Sequence, residues 1–133
     1  MGLQLLIIDD DEEDRELFRD AVESLDSSIN CIQAIDGRDA LTQLGNASTL
    51  PDFIFVDLNM PGVNGIQFLT EIKKCKRFCE IPVIIYTTSK LKRDKDETRR
   101  LGAVHFITKP YKLCDLHKEI IFVLDRKWVN VEI

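Results

Sequence analysis

Five short apolar runs alternate with amphipathic stretches along the chain. Leu3 to Ile8 is broken only by Gln4 and stops at Asp9; Ile29 to Ile35 is a weaker second run. Phe53 to Val56 is entered through Pro51 and ended by Asp57, Val83 to Thr87 is entered through Pro82, and Ala103 to Thr108 is the fifth run. Runs of this length with β-branched content suit strands covered on both faces, as in a parallel sheet. Between them the apolar period lengthens to that of a helix. Leu17, Phe18, Ala21, Val22 and Leu25 form one stripe over Glu13 to Leu25, and Arg38 to Leu44 turns Ala40, Leu41 and Leu44 inward. Gly65 to Lys74 groups Ile66, Leu69 and Ile72, and Leu113 to Lys127 groups Leu113, Leu116, Ile120, Val123 and Leu124. Lys90 to Leu101 has almost no apolar stripe, which predicts a weakly packed helix or a merely solvated one.

Five strands alternating with five helices predict a (βα)5 chain, an α/β doubly wound parallel sheet with helices on both faces. The 133 residues suit one domain, 1–133, with a short tail at about 128–133. The net charge is −5, from 23 acids against 18 bases, so a strongly basic nucleic-acid footprint is absent. Its distribution says more than its sum. Residues 9–26 hold ten acids and two bases, whereas residues 73–100 hold ten bases and four acids. No run approaches the roughly 20 apolar residues of a membrane span, and the start has no basic segment of a signal peptide. The expectation is a cytoplasmic protein with reduced thiols at Cys31, Cys75, Cys79 and Cys114; a redox pair of Cys75 and Cys79 is the other reading.

In an open parallel sheet, ligands bind beyond the carboxyl ends of the strands. The first strand delivers Asp9 and Asp10 there, the third Asp57, the fourth Thr87 and the fifth Lys109. Three carboxylates brought together repel one another and call for a cation. Hard oxygen ligands without nearby His or Cys select Mg²⁺ or Mn²⁺ over zinc. Lys109 suits a phosphoryl oxygen and Thr87 offers a hydroxyl, so the set complements a phosphoryl group beside a metal. A carboxylate is itself a competent nucleophile toward phosphorus. Each residue also has a plainer reading: Asp9 and Asp10 as helix caps, Asp57 as an Asx turn before Asn59, Thr87 as a strand residue, Lys109 as a loop charge. All of them falling on the right strand ends makes the joint plain reading improbable.

The stretches Leu-Ile-Ile-Asp-Asp-Asp at 6–11, Phe-Val-Asp-Leu-Asn-Met-Pro-Gly-Val-Asn-Gly at 55–65, Pro-Val-Ile-Ile-Tyr-Thr at 82–87 and Gly-Ala-Val-His-Phe-Ile-Thr-Lys-Pro-Tyr at 102–111 resemble the response regulator receiver domain of two-component signalling. The resemblance covers nearly the whole chain and implies a flavodoxin-like strand order 2-1-3-4-5. It makes Asp57 the phosphoacceptor, and Asp9, Asp10, Asp57 and the backbone carbonyl of Asn59 the metal shell, with Asp10 the more direct ligand. It makes Thr87 and Lys109 the phosphoryl-binding pair and Phe106 the aromatic that turns inward on phosphorylation. Phe106 stands where the family often has Tyr, keeping the bulk but not the hydroxyl. Asn59 and Ser89 match positions that tune dephosphorylation, and Thr88 stands where many members carry Ala. The resemblance also implies a cis bond between Lys109 and Pro110 and a positive φ at Gly65.

The implied partners are a histidine kinase or phosphotransfer protein as donor and a downstream protein target, with no direct nucleic-acid or membrane binding. With no output domain in sight, the expectation is a stand-alone, non-enzymatic switch that binds a partner or relays phosphate. Phe122 is expected on the outer side of the last helix, either as a singly exposed aromatic or as a homodimer or partner contact. Two rival classes remain: a phosphorylation-independent receiver-like binding module, and an aspartate-nucleophile phosphatase. The phosphatase needs a D-x-D nucleophile after the first strand and a cap over the site. Here the candidate nucleophile follows the third strand, and no cap-sized insertion exists.

Overall fold

Each apolar run becomes a strand of one sheet in the computed structural model, which describes residues 2–126 and 128. The strands are β1 (Gln4–Ile8), β2 (Asn30–Ala34), β3 (Phe53–Val56), β4 (Val83–Thr87) and β5 (His105–Thr108). The helices are α1 (Glu12–Leu25), α2 (Gly37–Asn46), α3 (Gly65–Lys74), α4 (Lys92–Arg100) and α5 (Leu113–Leu124). All strand pairs are parallel, in the order β2-β1-β3-β4-β5. The expected doubly wound architecture and strand order are therefore present. Lys127, where the last helix was expected to end, and residues 129–133 of the expected tail lie outside the described residues.

Strand alternation splits the core in two. Leu5, Ile7, Phe55, Ile84 and Ile107 face α1 and α5, where they meet Phe18, Val22, Leu116 and Ile120. Leu6, Ile8, Ile54, Val56 and Ile85 face the other way, against Leu44, Phe68, Leu69 and Ile72 of α2 and α3. Helix α4 contributes only Thr98 to the buried set, as its missing stripe predicts. Among the described residues no helix is long and apolar enough to cross a membrane. Cys31, Cys75, Cys79 and Cys114 are free thiols, and burial pushes that of Cys31 up to about 12.

Four local expectations change. Leu17 is 58% exposed. The buried stripe of α1 centres on Phe18 and Val22, and Leu17 lies about 100° away from Phe18 around the helix. Leu113 is 56% exposed, because it opens α5 above the sheet edge, before the helix reaches the core at Leu116. No cis peptide bond occurs among the described residues, so Lys109–Pro110 is trans, the isomer that X–Pro bonds intrinsically favour. Gly65 does not have a positive φ; Gly62 and Gly102 do, at 71° and 109°.

Gly65 is required for a different reason. A Cβ there would sit 2.4 Å from the Asp57 carbonyl oxygen and 2.8 Å from Leu58 Cα, both backbone atoms that cannot swing aside. The start of α3 thus presses against the segment that carries Asp57, and an Asn64–Gln67 capping box fixes that start. Gly62 meets open space, so a side chain there faces only the strain of its φ. Gly65→Ala is expected to cost about 2 kcal/mol or more by overpacking, and Gly62→Ala about 1 kcal/mol by backbone strain. Urea unfolding of both variants checks this ordering; equal losses contradict the close-approach account.

Candidate functional site

The sheet positions the site through hydrogen bonds that continue past its ends. Asp9 N–H donates to Ala34 O at 3.2 Å, Asp57 N–H to Ile8 O at 3.0 Å and Lys109 N–H to Thr87 O at 2.7 Å. The register pairs Ile8 with Val56 and Thr87 with Thr108, so the residues leaving these strands emerge side by side. β1 lies between β2 and β3, the point where the winding reverses and a crevice opens.

Asp9 is buried to 1% exposure, Asp57 is also buried, and Asp10 reaches solvent. Carboxylate oxygens of the three lie within 4.8 Å of one another. The capping role that Asp9 and Asp10 also suited belongs to Asp11, whose side chain accepts from Glu13 N–H at 2.9 Å and Asp14 N–H at 3.3 Å. That frees Asp9 and Asp10 for the crevice. Arg15 clamps the turn from behind, donating to Asp9 O at 2.8 Å and to Gln33 Oε1 at 3.0 Å.

Lys109 reaches over this cluster. Its Nζ donates to Asp9 Oδ2 at 2.7 Å, to Asp14 Oδ2 at 2.8 Å and to Asp57 Oδ2 at 3.2 Å. Burial alone would lower the ammonium pKa, but the hydrogen bonds it donates to Asp14 and Asp9 and the charge of Asp57 outweigh it and raise it above the ordinary lysine value. Asp9 moves the same way for a different reason: burial raises its carboxyl pKa, and Lys109 and the Asp11 N–H offset only part of that. The Lys109 ammonium also sits 5.4 Å from the ring centre of Tyr86, whose hydroxyl burial pushes up to about 12.

Asp9, Asp14 and Asp57 thus share one ammonium group, and Asp10 brings a further carboxylate within 4.8 Å of those of Asp9 and Asp57. The imbalance and the all-oxygen donor set fit a hard divalent cation such as Mg²⁺ or Mn²⁺. Asn59 N–H donates to Asp57 Oδ1 at 3.3 Å, which turns the loop so that its backbone passes close to the acceptor carboxylate.

Thr87 is fully buried at the end of β4, and its hydroxyl accepts from Ser89 N–H at 3.4 Å. The Ser89 hydroxyl donates to Asp94 and accepts from Leu91 N–H at 3.2 Å, while Thr108 donates to Ser89 O at 2.9 Å. Thr87 is therefore wired to the first turn of α4, which has no side-chain cap of its own. Phe106 is half-buried on the α4 side, with the Lys95 ammonium 5.7 Å from its ring centre. Asp14 and Ser89–Asp94 are contacts that the sequence reading did not find. Asp14 had a signal: counting back four residues from the buried Phe18 lands on it.

Phe122 stands apart from the carboxylates. It is 36% exposed, less than its neighbour Ile121 at 44%, so it is not the outermost residue of α5. Its ring packs 4.9 Å from that of His105, with Arg126 above it at 3.8 Å and Trp128 at 6.2 Å. His105 Nε2 is buried with no hydrogen-bond partner among the described residues. Burial, with help from Arg126 and against Glu119, holds the His105 pKa below its ordinary value.

The chain matches the family described as the response regulator receiver domain over residues 5–121. It is 35% identical to the sensor histidine kinase CheAY of Helicobacter pylori over 107 residues, 80% of this chain and 13% of that protein. It is 37% identical to PilG of Pseudomonas aeruginosa over 112 residues, 83% of this chain and 78% of that protein. This chain thus spans a small fraction of the kinase and most of PilG. Among solved structures, the Mn²⁺-bound response regulator Rcp1 superposes with a TM-score of 0.83 at 27% identity, covering 98% of this chain and all of that one (100%). The chemotaxis protein CheY4 of Vibrio cholerae gives a TM-score of 0.81 at 25% identity over 92% of this chain and 99% of its own.

A pH dependence follows from the aromatic cluster. His105 prefers to be neutral in the folded protein, so the unfolded chain takes up its proton first as pH falls through about 6.5. The stability this group contributes is present above that pH and is lost below it. Between about pH 8 and about pH 5, wild type is expected to lose more stability than His105→Gln. Parallel urea titrations at the two pH values check this; equal losses contradict it.

Proposed function

Because the chain belongs to the response regulator receiver family, we propose that it is a phosphorylation switch in which Asp57 accepts a phosphoryl group and the new charge is passed on to a partner surface. The observation that carries this is the meeting of Asp57 with Asp9, Asp10 and Lys109 from three strand ends. Asp57 places its carboxylate at the end of β3, beside Lys109 and within reach of Asp9 and Asp10, so one of its oxygens can attack phosphorus in line. A bond forms from that oxygen to phosphorus, the bond from phosphorus to the donor nitrogen breaks, and the leaving imidazole keeps the electron pair and takes a proton from water. A histidine kinase or a phosphotransfer protein is the donor class.

Asp9, Asp10, Asp57 and the backbone carbonyl of Asn59 would hold Mg²⁺ or Mn²⁺, which would supply the positive charge that lets a phosphoryl dianion approach these carboxylates. Lys109 contributes the second positive charge from the protein side, as a point donor to a phosphoryl oxygen. Thr87 turns its hydroxyl toward the phosphoryl group, which carries a charge of about −2. That movement withdraws the acceptor from Ser89 N–H and loosens the link to Asp94 and α4. Phe106, on the same face as α4, follows into the space that Thr87 leaves. The readout surface is then α4 with β5 and α5, where a downstream protein binds or phosphate is passed on. The chemistry extends no further than the gain and loss of this one phosphoryl group, and residues 1–133 act as one receiver unit.

The test is incubation with phosphoramidate and Mg²⁺, followed by intact-mass measurement. Wild type is expected to gain one phosphoryl group, Asp57→Asn none, and chelation of the metal is expected to abolish uptake. An unmodified wild type favours a binding module that works without phosphorylation.

A further inference from the structure

Lys109 has three ammonium protons, and all three are engaged. Asp9 takes one at 2.7 Å, Asp14 one at 2.8 Å and Asp57 one at 3.2 Å. None is left for a phosphoryl oxygen. If Lys109 is to neutralise a phosphoryl group on Asp57, one of its present partners must let go.

The three partners are not equally able to do so. Asp9 is buried to 1% exposure, and stripping its ammonium partner would leave an uncompensated charge away from water. Asp57 is the residue being modified and stays beside the lysine in either state. Asp14 differs from both: its side chain is 34% exposed, so water takes over its hydrogen bonds once the lysine leaves. It is also held rigidly, in the first turn of a helix whose cap, Asp11, bonds directly to its backbone N–H. We propose that Asp14 is a positioning residue that latches Lys109 in the resting domain, and that release of this ion pair is part of the free-energy cost of phosphorylating Asp57.

This rests on the phosphorylation reading above and adds a determinant to it. A singly charged carboxylate competes with the phosphoryl dianion for one ammonium proton. The strength of the Asp14–Lys109 pair therefore sets how readily the lysine transfers. Asp14→Asn keeps the volume and an acceptor oxygen but removes the charge that makes the bond strong. Glu13→Gln removes one charge from the same helical turn at an exposed side chain, and so controls for the general loss of negative charge near the site.

Two measurements test the latch. The first is the hydrogen exchange of the Lys109 ammonium group, followed by its ¹⁵N resonance in metal-free protein. Exchange is expected to be slow in wild type and in Glu13→Gln, and at least about threefold faster in Asp14→Asn. The second is the rate of Asp57 phosphorylation by phosphoramidate with Mg²⁺, expected to rise about threefold or more in Asp14→Asn relative to Glu13→Gln. Urea unfolding midpoints of the variants establish that both are folded. An ammonium exchange rate in Asp14→Asn equal to that of Glu13→Gln overturns the latch, as does an equal phosphorylation rate. A wild type that takes up no phosphoryl group overturns the phosphorylation reading instead; the ammonium exchange then decides on its own whether Asp14 restrains Lys109.

Discussion

One buried ammonium group holds the upper edge of this molecule together. Lys109 Nζ bridges Asp9, Asp57 and Asp14, residues 100, 52 and 95 positions away in the chain. Without it, carboxylates from β1, β3 and α1 would face one another in a crevice with little water to screen them. With it, the repulsion is reduced but not removed, because three acids share this ammonium group and Asp10 lies beside two of them. The site is thus stable enough to fold, and its remaining negative charge fits a divalent ion. Both properties come from the same count of charges.

The parallel sheet is what makes that count local. Asp9, Asp57 and Lys109 each follow a strand of four or five residues and Thr87 ends one, and the ladder bonds of Asp9, Asp57 and Lys109 tie them to neighbouring strands. Their relative positions are therefore set by the most deeply buried part of the protein. The sparsely packed element lies downstream. Helix α4 buries only Thr98 and has no side-chain cap, and it is tied to the site through Ser89 and Thr87. The hydrogen bonds from Thr87 through Ser89 to Asp94 tie the end of β4, at the edge of the site, to the least firmly packed helix.

Most of this was legible in the sequence, for reasons tied to particular residues. The strands end abruptly at Asp9, Asp57 and Lys109 because an apolar run gives way to a charge, a signal that needs no tertiary information. The strand order, by contrast, was read from resemblance to the receiver family rather than from the runs themselves. What the pattern hid was decided by neighbours distant in the chain. Asp14 looks like one more acid in a run of six, and only the placement of Lys109 beside the first turn of α1 separates it from Glu12 and Glu13. Leu17 and Leu113 are apolar at helical spacing, yet no element covers them. Gly65 reads as a turn glycine, whereas its need is the 2.4 Å approach of a would-be Cβ to the Asp57 carbonyl.

The central claim is that Lys109 balances a carboxylate cluster that is also built for a divalent cation. Its most direct test is the folding stability of Lys109→Met measured with and without Mg²⁺. Removing the ammonium group that buried Asp9 and Asp57 share is expected to cost about 3 kcal/mol or more in metal-free buffer, with Mg²⁺ restoring a substantial part by binding those same acids. A Lys109→Met protein as stable as wild type in metal-free buffer, or one whose stability Mg²⁺ leaves unchanged, would contradict the account.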